Sequence, residues 1–404
     1  MNVILKNISW IFGAHLLVAL TKWLILVFIA RLLMPEDLGV YSLAFAITAP
    51  IALFVNFKLR DLIVTEESPI FSDYALTRNI TSLLALIFMI IISFCFYPKY
   101  LLVILLVGIN KILDLHSELY YSMPHINNHF DFIGKLMILK HVIILMFFFL
   151  SLLYTKNLII SLFIQVIIQY IFFIFVEKKN ILIKYKPIME KKKIKKVKEL
   201  LKIGLPLGVS MMLISLTANI PKYMLEFFES AEVLGYFSAI TYVLVIGNLV
   251  MKSISQNFLP KLSNEYLKKD VVSFNKYIFK YLTTASILLG ILFITGTYLF
   301  GEFFLTIVYG SNFAGYVEIL IVASYAMAIN FIGWNFDTGL MSIRSIKIQP
   351  IISITTVILS TIFGFILIYN YGIKGAAYTM LITNIFQTVL RYVFLKIEIK
   401  KKMN

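Results

Sequence analysis

Four lysines, Lys22, Lys111, Lys222 and Lys252, fall inside long apolar runs of the sequence. A charged side chain at the centre of a bilayer costs about 2.5–3.5 kcal/mol on insertion scales, so each should face a cavity or a partner. Spacing tests this, because a helix turns about 100° per residue. Ser215, Asn219, Lys222 and Glu226 fall on one narrow helical face. Lys111, Asp114, Glu118 and His125 share another, as do Thr241, Asn248, Lys252 and Ser255. His15 and Lys22 stand two turns apart; Asn330, Trp334, Asp337 and Arg344 align, and so do Asn384, Gln387 and Arg391. Polar faces of this kind suit a shared wet lumen, and a cationic lumen suits an anionic visitor. Lys22, Lys111, Lys222, Lys252, Asn219 and Asn248 are therefore candidate substrate contacts. Asp114 and Glu118, carboxylates in a low-dielectric lumen, are candidates for a coupling proton or Na⁺. Arg31, Lys58 and Arg391 are expected to snorkel to an interface.

The elements that must position these groups follow from composition. The 404 residues are 60% apolar and 14% charged, against roughly 25% charged in a soluble domain. A spanning helix takes about 20 mostly apolar residues. Twelve such runs can be read, with cores at 8–30, 38–57, 74–97, 100–123, 134–154, 157–176, 203–226, 236–258, 278–300, 316–339, 350–370 and 375–395. Open sheets cannot sit in lipid with unpaired edges. The fold class expected is therefore all-α, a polytopic integral membrane protein of about twelve transmembrane helices, with no room for a large extramembrane enzyme domain. The first run is too long for a signal-peptide core and is broken by His15 and Lys22, so it is read as a span.

With both termini in the cytoplasm, 29 of the 37 Lys and Arg residues lie on that side, as the positive-inside rule requires. The densest basic stretch starts at Lys178, contains Pro187 and separates spans six and seven. It reads as a surface for anionic lipid, at about 1 kcal/mol per Lys; no aromatic platform accompanies it, so nucleic acid is not an expected partner. The single cysteine, Cys95, excludes an intrachain disulfide. No GxxxxGK[ST], HExxH or GxSxG motif is present, and the five histidines form no ligand set, so neither a catalytic centre nor a metal or other cofactor is expected.

The two halves resemble each other at an offset of 196 residues. PEDLGVYSLAFAI from Pro35 aligns with AEVLGYFSAITYV from Ala231, matching Glu36 with Glu232, Leu38 with Leu234, Gly39 with Gly235 and Ser42 with Ser238. Six spans precede the basic stretch and six follow it, which gives parallel repeats related by an axis along the membrane normal. The expected organisation is an N-terminal six-helix lobe (1–177), a basic cytoplasmic linker (178–200), a C-terminal six-helix lobe (201–396) and a basic tail (397–404).

The opening stretch NISWIFGAHLLVALTKWLILVFIARLLMPEDLGVYSLAFAI resembles that of the polysaccharide transporters, the O-antigen and related lipid-linked oligosaccharide flippases of the MOP superfamily. NFKLRDLIVTE from Asn56, LKIGLPLGVSMMLISLTANIPKYMLEFFESAEVLGYFSA from Leu201, SQNFLPKLSN from Ser255, VYGSNFAG from Val308 and YGIKGAAYTMLIT from Tyr371 are similar to the same pattern. Lys58 and Thr65 depart from it, standing where a Gly and a basic residue are expected. The resemblance implies two six-helix lobes around a central cavity. It also implies transfer of an undecaprenyl-pyrophosphate-linked repeat unit from the cytoplasmic to the periplasmic leaflet of a bacterial inner membrane, alongside other glycan-assembly membrane proteins. Lumen lysines would offset desolvation of the pyrophosphate, by alternating access with the linker as a flexible tie. The rival readings are a cation-coupled drug or toxin extruder of the same superfamily and, from another class, a membrane polysaccharide polymerase.

Overall fold

The structure, a computed structural model, describes residues 3–190 and 193–403; Lys191 and Lys192 of the basic stretch lie outside the described residues. In chain order the α-helices are α1 (Val3–Leu32), α2 (Pro35–Asn56), α3 (Leu59–Thr65), α4 (Phe71–Phe96), α5 (Leu101–Tyr120), α6 (Ser122–Ile126), α7 (Phe130–Thr155) and α8 (Leu158–Phe172). There follow α9 (Lys179–Tyr185), α10 (Ile194–Phe228), α11 (Ala231–Asn257), α12 (Leu259–Leu267), α13 (Val271–Asn275), α14 (Thr283–Tyr309), α15 (Val317–Ser342) and α16 (Gln349–Met403). No strand occurs among the described residues. Helix starts fall where short polar side chains can take up free backbone donors: Asn157, Ser230 and Asp270 accept from the amides of Ile160, Val233 and Ser273.

Eleven helical stretches among the described residues are long and apolar enough to cross a membrane. The last of them is α16, 55 residues interrupted at Gly372 with φ 53° and ψ −131°, a conformation that only glycine adopts readily. Beyond it the chain doubles back. A Cβ on Gly375 would lie 2.0 Å from the Leu367 carbonyl oxygen, and one on Gly364 would lie 3.6 Å from Thr379 Cγ2. The two arms of α16 match the runs expected at 350–370 and 375–395. Side chains such as Phe94, Leu288, Leu292 and Phe365 are more than half exposed, which in water would be a liability and in lipid is the ordinary outer face.

The chain forms two compact units, 1–215 and 216–404, so the division falls inside α10 rather than at residues 200/201. Small residues explain where the first part of α10 packs. Gly204 and Gly208 are four apart, and a Cβ on them would meet the Phe57 side chain at 2.5 Å and the Phe54 carbonyl oxygen at 2.1 Å. Such a small-residue face lets backbones approach closely.

The basic stretch is not the free tie expected of it. It is helical up to Tyr185 and again from Ile194, and Pro187 follows the left-handed residue Lys186 that ends α9. Between them the backbone is held to the N-terminal unit. Phe71 N–H donates to Ile188 O (3.0 Å), Ser72 Oγ to Glu190 O (2.9 Å) and Lys193 N–H to Asp73 Oδ1 (2.8 Å). Lys196 pairs with Glu66 at 2.8 Å, and Tyr74 donates its hydroxyl to the same carboxylate. Burial pushes the Glu66 carboxyl up, but these two hydrogen bonds outweigh it and leave the group below its ordinary value.

In each half of the chain a long helix is followed by a second helix starting at Pro35 or Ala231 and then by a short helix, α3 or α12, an order compatible with the expected repeat. The aligned segments also share their order of exposure. Glu36 and Glu232 are exposed, while Leu38 through Ser42 and Leu234 through Ser238 are buried.

In the N-terminal unit α2 ends in two consecutive left-handed residues, Phe57 (φ 51°) and Lys58 (φ 48°). That backbone explains why a glycine is expected at position 58. Arg78, fully buried, clasps the freed carbonyls of Val55 and Asn56, each at 3.0 Å. Phe71, Tyr74, Leu119, Tyr120 and Ile181 form the core around this corner. In the C-terminal unit Leu262, Phe274, Ile278, Phe336, Leu340 and Leu395 play that part.

Candidate substrate cavity and buried charges

The N-terminal unit contains a small, partly open cavity of about 50 Å³. Helix α1 lines it with Thr21, Lys22 and Ile25, α2 with Tyr41 and Phe45, and α5 with Asn110, Lys111 and Asp114. His141 of α7 and Gln165 and Gln169 of α8 complete the polar wall. Two of the four expected lysines, with Asp114, thus meet in one place. Lys111 lies with its ammonium 3.3 Å above the Phe45 ring centroid, a cation–π contact that helps hold the charge.

Asp114 is the cavity-facing end of a deeper network. Its Oδ1 accepts from Lys140 Nζ at 3.1 Å and from Gln169 Nε2 at 2.9 Å. Lys140, only 3% exposed, also lies 3.5 Å from Glu177 Oε1, a side chain with no exposure at all. The hydroxyls of Ser117 and Tyr121 both donate to Glu177. Two carboxylates and one ammonium are thus fully supplied with partners, as buried charges require. Glu177 reaches this spot because residues Phe173–Lys178 wind as a π-helix between α8 and α9, which changes the rotational register of the side chains that follow.

Neither Lys140 nor Glu177 is among the residues expected from sequence. Lys140 stands about two turns into the run from 134, near enough to its cytoplasmic end to read as a residue that meets water. Glu177 directly precedes Lys178 and Lys179 and so merges with the basic stretch. Glu118, one turn from Asp114, goes elsewhere: its Oε2 accepts from Asn56 Nδ2 at 3.0 Å.

The remaining candidates lie in the C-terminal unit. Asn219 is buried, and Lys222 is half-buried. Asn248 Oδ1 accepts from Asn330 Nδ2 at 3.0 Å, and its own amide donates to Leu244 O. Lys252 is exposed, its ammonium 5.1 Å from the Trp334 ring centroid. Arg391 corrects the expectation of a snorkelling interface residue. It is 8% exposed and sits 5.6 Å from the same ring, with Asp337 Oδ1 3.8 Å from its Nε. A guanidinium stacks flat on an aromatic ring, so burial beside Trp334 is open to it in a way that reaching for water is not its only option.

Eleven long apolar helices among the described residues mark an integral membrane protein, and solved structures share its fold. A lipid II flippase MurJ in an inward closed conformation superposes with a TM-score of 0.76 at 16% identity, over 97% of this chain and 89% of that one. An inward-facing multidrug resistance MATE family transporter of the MOP superfamily gives a TM-score of 0.70 at 12% identity, covering 95% of each chain. The chain belongs to the polysaccharide biosynthesis protein family, whose profile matches residues 4–265. It is 32% identical over 393 residues to the capsular polysaccharide biosynthesis protein CapF of Staphylococcus aureus, covering 97% of this chain and 99% of that one.

Proposed function

We propose that this protein is a flippase that carries an undecaprenyl-pyrophosphate-linked oligosaccharide from the cytoplasmic to the periplasmic leaflet of the bacterial inner membrane. The observation that carries the reading is the cavity that Lys22 and Lys111 line together with polar side chains. A pyrophosphate needs cations to offset its desolvation, and lysines, as flexible point charges, can release it again. Asn110, Gln165 and Gln169 supply the amides that sugar hydroxyls need. Membership of a polysaccharide family and a flippase-like fold support the same substrate class. The drug-extruder alternative is disfavoured by the two cavity lysines, which repel cationic cargo.

The mechanism proposed is alternating access, both termini being cytoplasmic. Asp114, which meets the cavity in front of Lys140 and Glu177, is the proposed coupling site for a proton or Na⁺. Glu118, already engaged by Asn56, is the weaker candidate. Exposed Lys193, Lys195 and Lys198 are placed to meet anionic lipid. The test is complementation of a strain that lacks its own flippase. Lys22→Ala and Lys111→Ala should each cut surface glycan at least tenfold with the protein still in the membrane. Undiminished export by both variants would overturn the reading.

A further inference from the structure

The C-terminal unit holds a group of donors that the cavity just described does not use. They converge on Trp334, in the last turns of α15. Lys252 of α11 lies 5.1 Å from the ring centroid, and Arg391 in the second arm of α16 lies 5.6 Å from it. Arg391 is nine-tenths buried, yet its Nε and Nη1 have no hydrogen-bond partner, and neither has the indole Nε1 of Trp334. Buried donors are nearly always satisfied, so three orphans around one ring call for an explanation.

Asp337 supplies only half of one. Its Oδ1 stands 3.8 Å from Arg391 Nε, too far for a hydrogen bond, while accepting from Gln349 Nε2 at 2.6 Å. The carboxylate balances the guanidinium's charge and leaves its donors unspent. Counting Lys252, Arg391 and Asp337, the group carries one net positive charge. Its open side is that of Lys252, which is exposed, and Trp334, which is half-buried. All these residues lie near the ends of α11 and α15, the start of α16 and its last third. In the proposed topology those are the cytoplasmic ends.

We propose that Lys252, Trp334 and Arg391 form an oxyanion subsite in the C-terminal unit that receives the phosphate of the lipid-linked substrate on its loading side. An incoming phosphate takes the unspent Nε and Nη1 donors of Arg391 through separate oxygens, as charge-assisted hydrogen bonds. Lys252 adds its charge from the open side, and the indole N–H supplies a neutral donor. The proposal rests on the flippase reading for the identity of the substrate, but the donor set is a feature of this unit alone.

The test uses the full-length protein in neutral detergent. The chain has three tryptophans, so replacing Trp10 and Trp23 by Phe leaves Trp334 as the only indole reporter. Inorganic pyrophosphate is titrated against its emission, in parallel with mixed micelles containing phosphatidylglycerol. The expected result is a saturable change with pyrophosphate. Arg391→Gln should weaken it at least tenfold and Lys252→Gln several-fold. Lys22→Gln/Lys111→Gln, which empties the other cavity of cations, should leave it unchanged. That last variant separates the two ideas, because it can abolish export while the Trp334 response persists. If Arg391→Gln does not elute as a folded species, Arg391→Lys replaces it; the fork is then lost with the charge kept, and weakening is still expected. No response to pyrophosphate, a response only to phosphatidylglycerol, or a response indifferent to Lys252 and Arg391 substitutions would each overturn the proposal.

Discussion

Replacing Lys140 by Met should be among the most damaging single changes in the N-terminal unit. The ammonium is 3.1 Å from Asp114 Oδ1 and 3.5 Å from Glu177 Oε1 and is 3% exposed. At an effective dielectric of about 20, each contact is an attraction of roughly 5 kcal/mol, set against the cost of taking three charges out of water. Removing the shared cation leaves the fully buried Glu177 carboxylate without a counter-charge and strips Asp114 of its ion-pair partner, and breaking a buried pair from one side costs about 3–5 kcal/mol. In a unit of this size that lowers the thermal midpoint by roughly 6–20 °C. Glu177→Gln should be milder, because Tyr121 can still donate to the amide oxygen, the Ser117 hydroxyl can turn to accept from the amide nitrogen, and Lys140 keeps Asp114. The double variant Lys140→Met/Glu177→Gln should then recover at least about 2 kcal/mol of the loss, a coupling typical of groups in one network. The assay is the unfolding midpoint of purified protein in detergent, followed by intrinsic fluorescence. A Lys140→Met midpoint within about 1 °C of the parent, or single losses that simply add in the double variant, would refute the idea that these charges act as one unit.

Three further outcomes follow from the same geometry. Arg78→Met should cost about 2–4 kcal/mol, because the Val55 and Asn56 carbonyls lose a charged donor in a buried corner; the unfolding midpoint reads this, and an unchanged midpoint would contradict it. Gly372→Ala should cost about 1–3 kcal/mol through backbone strain, compounded by a Cβ placed 2.5 Å from Glu229 Oε1, and a fully stable variant would show that the turn re-forms without a left-handed residue. Glu66 is held below its ordinary carboxylate value of 4.5, so it favours the folded state fully above that pH. The contribution fades as pH falls through the lowered value. Glu66→Gln should flatten the acid limb of a stability–pH curve and leave the neutral region less affected; identical acid limbs would refute it.

Length, hydropathy and charge placement made the helical membrane class and the order of spans readable from the sequence, because those properties are set locally. The fold-back at Gly372 was readable for the same reason, since a polar gap with a glycine separates two apolar runs. Lys22, Lys111 and Asp114 were reachable because a charge in an apolar run advertises itself, and the cavity brings them together. Lys140 and Glu177 were not, for a physical reason: Lys140 lies within about two turns of the cytoplasmic end of its run and Glu177 just beyond the end of its own, where lysines and glutamates ordinarily meet water. Only the packing of α5, α7 and the π-helical turn decides that these two are buried instead. Arg391 was misjudged likewise, its stacking partner Trp334 being distant in sequence. The basic stretch looked flexible from its composition, but its ordering depends on backbone bonds to residues 71–73 that no local pattern reveals.

The most direct test of the central claim is leaflet transfer itself. Purified protein is reconstituted into liposomes with a fluorescent undecaprenyl-pyrophosphate-linked oligosaccharide, and loss of outer-leaflet signal to a membrane-impermeant quencher is followed in time. The parent protein should move the lipid-linked sugar between leaflets. Lys22→Gln/Lys111→Gln, inserted at the same density, should be slower by at least tenfold. Equal rates for parent and variant, or no transfer above protein-free liposomes by the parent, would contradict the account.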